Sequence, residues 1–568
     1  MNPTINHGDT QSTENSKKPR ALLSPWLTRV LFWILPLAFL AVFFFVPLFR
    51  ILALTLDASI LTSENISIAY SALRFTFYQA ILSTLLTLIL GLPSAYLFAR
   101  YDFRGKSLLR TLTAVPFMLP TVVVAASFNA ILGPRGLMNA FILPPAFHIQ
   151  PSSFTLILLA HVFYNTTIII RIVGNALSSL DPKLEHAARS LGADTFHVWK
   201  NIILPLLRPS IFAATLLVFL FDFTSFGVIL LLGGSQFSTL EVEIYIQAVH
   251  QLHLSLAALL ALIQLICTLI FSILYTRIVA RSTQQLAPRS TFTKPQNLKQ
   301  KVFVTSFGIL LFAFFLLPLV SLPVRSFFRL EADRGQRGAV QYGFTTDYYT
   351  ELFINRRDSV FYVPPIQATL NSMGYAGATV LLSLLLGYPA ALALAKPTRL
   401  EKVLDPLIML PLGSSAVMLG LGFIISYGKW LTSPWLVPFA HTLVALPFVI
   451  RTLQPAIASI PQRLRQAASS LGASPFGVWK NIDFPILRRA TLAAATFAFT
   501  ISLGEFGATL LISRPDYPTI PVAIERFLSQ PGGLNYGQAM AMATVLMLLV
   551  VISILSIEKF RLSNTGEF

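Results

Sequence analysis

The sequence predicts an all-α integral membrane protein of about twelve transmembrane helices, built as two parallel six-helix repeats. Three observations predict it: an apolar composition, a series of apolar runs of spanning length, and a motif duplicated at constant offset. Of 568 residues, 55% are hydrophobic and only 12% are charged, too little polar surface to enclose a core of its own in water. The formal charge of +18 does not point to nucleic acid, because the basic residues sit in short clusters between apolar runs and not along one stripe interleaved with aromatics. That is the distribution of loop charges that orient a membrane protein. The single cysteine, Cys267, lies within an apolar run, which excludes an internal disulfide and a clustered thiolate metal site.

Residues 1–28 are polar and read as a cytoplasmic tail. A run of about twenty apolar residues crosses ~30 Å of hydrocarbon as a helix. Such runs fall near 29–54, 72–98, 108–132, 154–177, 206–233, 254–280, 302–328, 367–395, 403–427, 434–457, 488–512 and 537–558. The first is too long for a signal-peptide core and has no small-residue cleavage site behind it, so it reads as a retained span. Residues 29–280 then form the first six-helix module, 281–301 a cytoplasmic linker containing Pro288 and Pro295, 302–560 the second module, and 561–568 a cytoplasmic tail. Basic clusters at Arg100, Arg104, Lys106 and Arg110, at Lys183, Arg189 and Lys200, and at Lys396, Arg399 and Lys402 share one side of this arrangement. The positive-inside rule therefore places both termini in the cytoplasm of a multi-pass protein of the cell membrane. The outer stretch 325–366, rich in arginine, runs against the trend, and longer loops are less constrained by it.

Self-similarity gives the sharpest signal. Ser190 to Arg208 matches Ser470 to Arg488 without a gap, at an offset of 280 (470 minus 190), and the same offset pairs His161 with His441, Arg171 with Arg451, and Phe226-Gly227 with Phe506-Gly507. Six spans per copy, an even number, put both repeated segments on the same face and make the repeat parallel. Locally, a helix through Leu184, Ala187, Ala188 and Leu191 stops at Gly192, a residue free to turn left-handed. Asp194 caps a second helix through Phe196 and Trp199 that ends before Pro205. The second copy reaches the same shape with Gly472, Ser474 as cap and Pro475 at the first helical position. The paired alanines, Ala187-Ala188 and Ala467-Ala468, admit a close backbone. Phe196 with Trp199 and Phe476 with Trp479 offer apolar knobs suited to a partner's groove, or, for a helix lying flat, to the lipid interface.

These segments, Ala-Ala followed by Gly192 or Gly472 and then Pro205 or Pro485, resemble the cytoplasmic coupling loop of type I ABC importer permeases. That family pattern begins Glu-Ala-Ala. Here His186 and Gln466 stand in place of the glutamate, with Glu185 adjacent in the first copy, so no glutamate stands at that position for an ion pair with the ATPase. Twelve spans in two fused halves look like the permeases of the ferric-ion and thiamine importers, and Ala160 to Asn165 with Leu231 to Tyr245 leans toward the thiamine members. The resemblance implies the type I importer permease fold, two cytoplasmic ABC ATPase subunits docked at the two loops, an extracytoplasmic substrate-binding protein, and a small cationic solute. It implies no cofactor, no metal, no nucleic acid and no enzymatic activity in this chain. Gly105-Lys106-Ser107 mimics the end of a phosphate loop, but Arg100 stands where its first glycine belongs. A twelve-span secondary transporter has the same span number, yet has no need of two duplicated cytoplasmic loops.

Charged groups in hydrocarbon usually face a pathway or a partner. Asp222, Glu505 and Ser225, which aligns with Glu505, are candidates for a translocation path that favours a cation, or else for bonds from helix to helix. His161 and His441 read as hydrogen-bonded packing residues. His148, His250 and His253 lack metal-site spacing. Gly91-Leu92-Pro93 and Gly387-Tyr388-Pro389 mark matching hinges or packing devices.

Overall fold

The computed structural model describes residues 25–139, 151–282, 292–330, 343–354 and 364–561. The tails up to residue 24 and from 562, linker residues 283–291, much of the outer stretch and His148 lie outside the described residues.

Among the described residues, ten helices are long and apolar enough to cross a membrane. Six lie in the first half and its boundary with the second: α1 (Val30–Thr55), α2 (Ser63–Arg100), α5 (Ser153–Ser178), α7 (Thr195–Phe223), α10 (Leu254–Val279) and α11 (Leu298–Ser326). The other four are α12 (Pro365–Leu394), α15 (Leu436–Ala458), α17 (Pro475–Gly504) and α20 (Gly533–Leu555). Two helix pairs are sharply bent, and each makes a further span if the pair is taken as one: α3 (Lys106–Met118) meets α4 (Thr121–Leu132) at 114°, and α13 (Arg399–Gly413) meets α14 (Ala416–Trp430) at 94°. The runs at 108–132 and 403–427 are therefore not straight helices. Pro116 and Pro120 remove donors at the first bend. At the second, Ser414 and Ser415 are extended and Ser415 caps α14 by accepting the Met418 N–H.

Two expected spans are interrupted. The run at 206–233 breaks after α7 and resumes as α8 (Gly227–Phe237); the run at 488–512 breaks after α17 and resumes as α18 (Gly507–Ile512). Short helices follow each break, α9 (Leu240–Tyr245) and α19 (Ile520–Ser529). The coupling segments begin with α6 (Pro182–Ser190) and α16 (Gln462–Ser470). A two-residue ribbon pairs Phe328–Arg329 with Gly343–Phe344.

Inside lipid no hydrophobic force drives helix association, so close fit and polar bonds decide it. In each half the longest contact joins the pairs α2–α5 and α12–α15. Gly91 and Gly387 make it possible: a Cβ at Gly91 would stand 2.7 Å from Ile169 Cβ, and one at Gly387 would stand 2.8 Å from Val449 Cγ1. Ile169 and Val449 are themselves equivalents at the repeat offset. Both glycines lie inside continuous helices, so the Gly-Pro marks are packing devices.

The first helix of each half crosses to the other. α1 packs on α12 and α14, with the Tyr427 hydroxyl donating to the Val42 carbonyl at 2.6 Å, while α11 packs on α4, with Ser321 donating to the Ser127 carbonyl at 3.0 Å. α9 also lies on α14, and α19 on α4. The halves are thereby interlocked.

Both coupling segments lie at one end of the bundle. α11 starts beside the end of α2, where Phe303 meets Tyr96 and Tyr101, and finishes at the opposite end, where Ser326 and Tyr349 share a hydrogen bond of 2.9 Å. α12 starts at that far end, against Glu351–Phe353, and returns to bring Lys396 within 3.2 Å of Gln462 in α16.

Candidate functional site

Each coupling segment is a helix closed by a Schellman turn. Gly192 has φ +86° and Gly472 φ +82°, a backbone that a side chain strains by about 1–2 kcal/mol. In the first copy the Gly192 N–H donates to the Arg189 carbonyl (3.0 Å) and the Ala193 N–H to the Ala188 carbonyl (3.1 Å); in the second, Gly472 donates to Ser469 (3.0 Å) and Ala473 to Ala468 (3.0 Å). The second alanine of each pair thus accepts the closing bond. Asp194 then caps by accepting the His197 N–H at 2.8 Å, and Ser474 by accepting the Gly477 N–H at 3.1 Å. The His197 amide and ring N–H groups on the Asp194 carboxylate hold it below the ordinary aspartate range.

The next helix does not end before Pro205 as its sequence predicts. One wide π turn at Trp199–Ile203 leads directly into the membrane helix, and Trp479–Asp483 repeats this ahead of Pro485. A proline clashes with the carbonyl four residues back and offers it no N–H. The wider turn, closed by the Leu204 N–H on the Trp199 carbonyl, accommodates that loss without stopping the helix.

Each segment is held from below and bare above. Val198 and Val478 are buried. Trp199 lies edge-on to Tyr96 at 5.3 Å, and the Trp479 indole N–H donates to the Tyr388 hydroxyl at 3.0 Å. Glu185 pairs with Arg100 at the end of α2, so it is engaged within the chain. Phe196 and Phe476 are 66% and 68% exposed, and Leu191 and Leu471 are each 89% exposed. His186, Ala187, Gln466 and Ala467 are exposed beside them, with Ala188 and Ala468 partly covered. The two bare leucines were not among the predicted docking residues; their signal was their position inside the repeat, immediately before each glycine.

The breaks gather the polar residues of the spans. His161 shares hydrogen bonds with Ser83 (Nδ1, 3.0 Å) and Ser225 (Nε2, 2.8 Å). Asp222 is fully buried, accepts from Asn165 at 2.7 Å and lies 3.6 Å from His161. His441 shares bonds with Ser502 (Nδ1, 2.7 Å) and Thr509 (Nε2, 2.7 Å), and Glu505 lies 3.3 Å from its ring. Glu505 also accepts the N–H groups of Ala508 (2.9 Å) and Thr509 (3.0 Å), capping the restarted α18. Asp222, Ser225 and Glu505 are thus bonded among helices in this conformation. Arg451 pairs with Asp405 at 3.0 Å.

Two parallel modules, interlocked and carrying a duplicated exposed segment at one end, define a membrane permease built from two copies of one transport unit. Residues 87–284 and 383–560 both match the model of the binding-protein-dependent transport system inner membrane component, and the chain belongs to that family. It is a permease component of an importer that works with an ATPase and a binding protein, and is not itself an ATPase; the secondary-transporter alternative falls away. Among its relatives, the thiamine transport system permease protein ThiP of Brucella abortus (strain 2308) is 28% identical over 87% of this chain and 88% of its own. ThiP of Salmonella typhimurium is 27% identical over 93% and 96%. A probable ABC transporter permease protein of Sinorhizobium fredii, y4fN, is 23% identical over 88% and 89%.

Proposed function

We propose that this chain imports a small organic cation of the thiamine class, with both coupling segments and both termini in the cytoplasm and one ATPase subunit docked on each segment. The observation that carries the docking is the pair of bare knobs, Leu191 with Phe196 and Leu471 with Phe476, at one end of the bundle. Large apolar side chains so exposed beside basic residues are what a protein partner covers. The likeness to thiamine permeases over most of both chains supports the solute class. Closure of the ATPase pair on ATP pulls the two knobs together, and the interlocked halves rock about their shared axis. In this reading Asp222, Ser225 and Glu505 hold the breaks in the spans, and the solute passes along the axis between them.

The test is uptake of radiolabelled thiamine, against labelled ferric iron, into cells lacking their own thiamine import and supplied with this chain, its ATPase and its binding protein. Thiamine uptake that requires all three supports the reading; uptake of iron and not thiamine rejects the solute class. Orientation is read separately, from maleimide labelling of Leu191→Cys and Leu471→Cys. Labelling of intact cells by an impermeant reagent would reverse it.

A further inference from the structure

Each half restarts its broken span with a phenylalanine, and the repeat brings the two together. Phe226 and Phe506 are equivalents (506 minus 226 is 280). Their ring centroids lie 5.6 Å apart with planes 27° from parallel, and both are buried. Equivalent residues of a two-fold repeat meet only at its axis, so this stack plugs the line along which the halves part. Gly227 allows the approach: a Cβ there would stand 3.1 Å from the Phe506 ring and 2.5 Å from the Thr121 hydroxyl. The 20 residues Leu204–Phe223 of α7 separate the plug from the π turn of the coupling segment, about 30 Å at 1.5 Å per residue. It therefore closes the end remote from the coupling segments.

Beside the stack the symmetry fails. Tyr245 on α9 stands edge-on to Phe226 at 5.7 Å, but its equivalent on α19 is Glu525 (525 minus 245 is 280). By the same repeat Glu525 stands to Phe506 as Tyr245 stands to Phe226, and its carboxylate is within electrostatic reach of the Tyr245 hydroxyl. It is partly buried and, among the described residues, forms no hydrogen bond; Arg526, its sequence neighbour, influences it only through charge. A half-buried carboxylate that makes no hydrogen bond and feels one neighbouring cation only through charge keeps acceptor capacity for a second cation. Aromatic faces carry negative quadrupoles and attract a cation by about 0.5–2 kcal/mol.

We propose that Phe226, Phe506, Tyr245 and Glu525 form a stop on the axis that selects a flat organic cation in transit, the two phenyl rings parting to take it between them and Glu525 receiving its positive charge. A flat cation gains from stacking and from charge, a neutral ring from stacking alone, and a chelated metal ion from neither face. This inference rests on the importer reading above and names the residues that choose the solute.

The experiment uses the full chain with its ATPase and binding protein in lipid nanodiscs. Phe226→Trp places an indole in the stack, and thiamine and its neutral pyrimidine fragment are titrated against the indole fluorescence. Saturable quenching by thiamine is expected, at least tenfold tighter than by the neutral fragment. Glu525→Gln in the same background should weaken thiamine at least tenfold and leave the neutral fragment unchanged, and Glu525→Asp should recover most of the loss. Uptake by Glu525→Gln in the otherwise unaltered chain, measured in proteoliposomes, should fall at least fivefold, a readout that does not depend on the indole. Thiamine imported by the unaltered chain, with quenching and uptake both indifferent to Glu525→Gln, overturns the stop alone. An unaltered complex that imports no thiamine overturns the stop and the proposed function together.

Discussion

At the coupling segments the first half anchors with an acid where the second uses a base. Glu185 pairs with Arg100, while its equivalent, Arg465, reaches forward 2.8 Å to Asp483 in the π turn. The same exchange recurs at the breaks. The first half carries Asp222 and Ser225 about His161, and the second carries Ser502 and Glu505 about His441. Acid and hydroxyl have traded places across the imidazole. The backbone is held constant, with the same Schellman closure, π turn and broken span in both halves. What the two halves leave free is which partner carries the charge, because a buried donor needs an acceptor at bonding distance and either side can supply it. The pair, not the residue, is the unit of equivalence.

The largest effect should come where the halves are most alike. Phe196→Asp together with Phe476→Asp is expected to abolish co-purification of the ATPase with the permease in detergent, since a desolvated carboxylate at the centre of an apolar contact loses more than the ring contributed. Each single substitution should weaken association at least tenfold and equally. One single variant with normal association would break the equivalence of the two knobs.

The exchanged buried pairs come next. Glu505→Ser removes the acceptor of two backbone N–H groups and a neighbour of His441, at a cost of about 2–3 kcal/mol for the groups left unsatisfied. It should lower the thermal unfolding midpoint of the purified chain. The double variant Ser502→Asp/Glu505→Ser rebuilds in the second half the arrangement of the first and should regain part of that loss. A double variant less stable than Glu505→Ser would show that position, and not pairing, is what each half conserves.

The same comparison separates what the sequence discloses from what it hides. The coupling helices, their glycine stops and their caps are legible because each depends on a few adjacent residues: a left-handed glycine, then Asp194 or Ser474. Span number and the parallel repeat follow from run lengths and the offset. The π turns are hidden, since proline reads as a stop unless a wider turn absorbs it. The breaks at Phe226 and Phe506 are hidden because the apolar run continues across them, and the groups that bond there, Gln79 to the Asp222 carbonyl, His161 to Ser225 and His441 to Thr509, come from segments distant in sequence. The reading of Asp222 and Glu505 as path residues or helix bonds could not be decided from spacing, because Asn165, His441 and Thr509 approach them from distant or folded-back segments.

A smaller effect belongs to the glycines. Gly192→Ala and Gly472→Ala each force a side chain into the left-handed region, costing about 1–2 kcal/mol, and no atom lies within 4 Å of either added Cβ. The cost is therefore backbone strain alone. Hydrogen exchange of the following turn should quicken by the same factor in both, and unequal factors would mean that the two turns are held by different surroundings.

The smallest effect distinguishes the two caps by pH. Asp194 is held below the ordinary aspartate range chiefly by the His197 N–H, while Ser474 does not titrate. A depressed carboxyl contributes its full stabilisation above its unfolded value and loses it as pH falls through the folded one. Amide protection at residues 196–198, corrected for intrinsic exchange, should therefore decline relative to 476–478 as the medium is acidified below the ordinary carboxylate range, and match it in trend at neutral pH. Asp194→Ser should abolish the difference and Ser474→Asp should transfer it to the second half. If both segments lose protection together in the unaltered chain, the acid response lies in the bundle beneath them, and the two caps are interchangeable in chemistry as well as in shape.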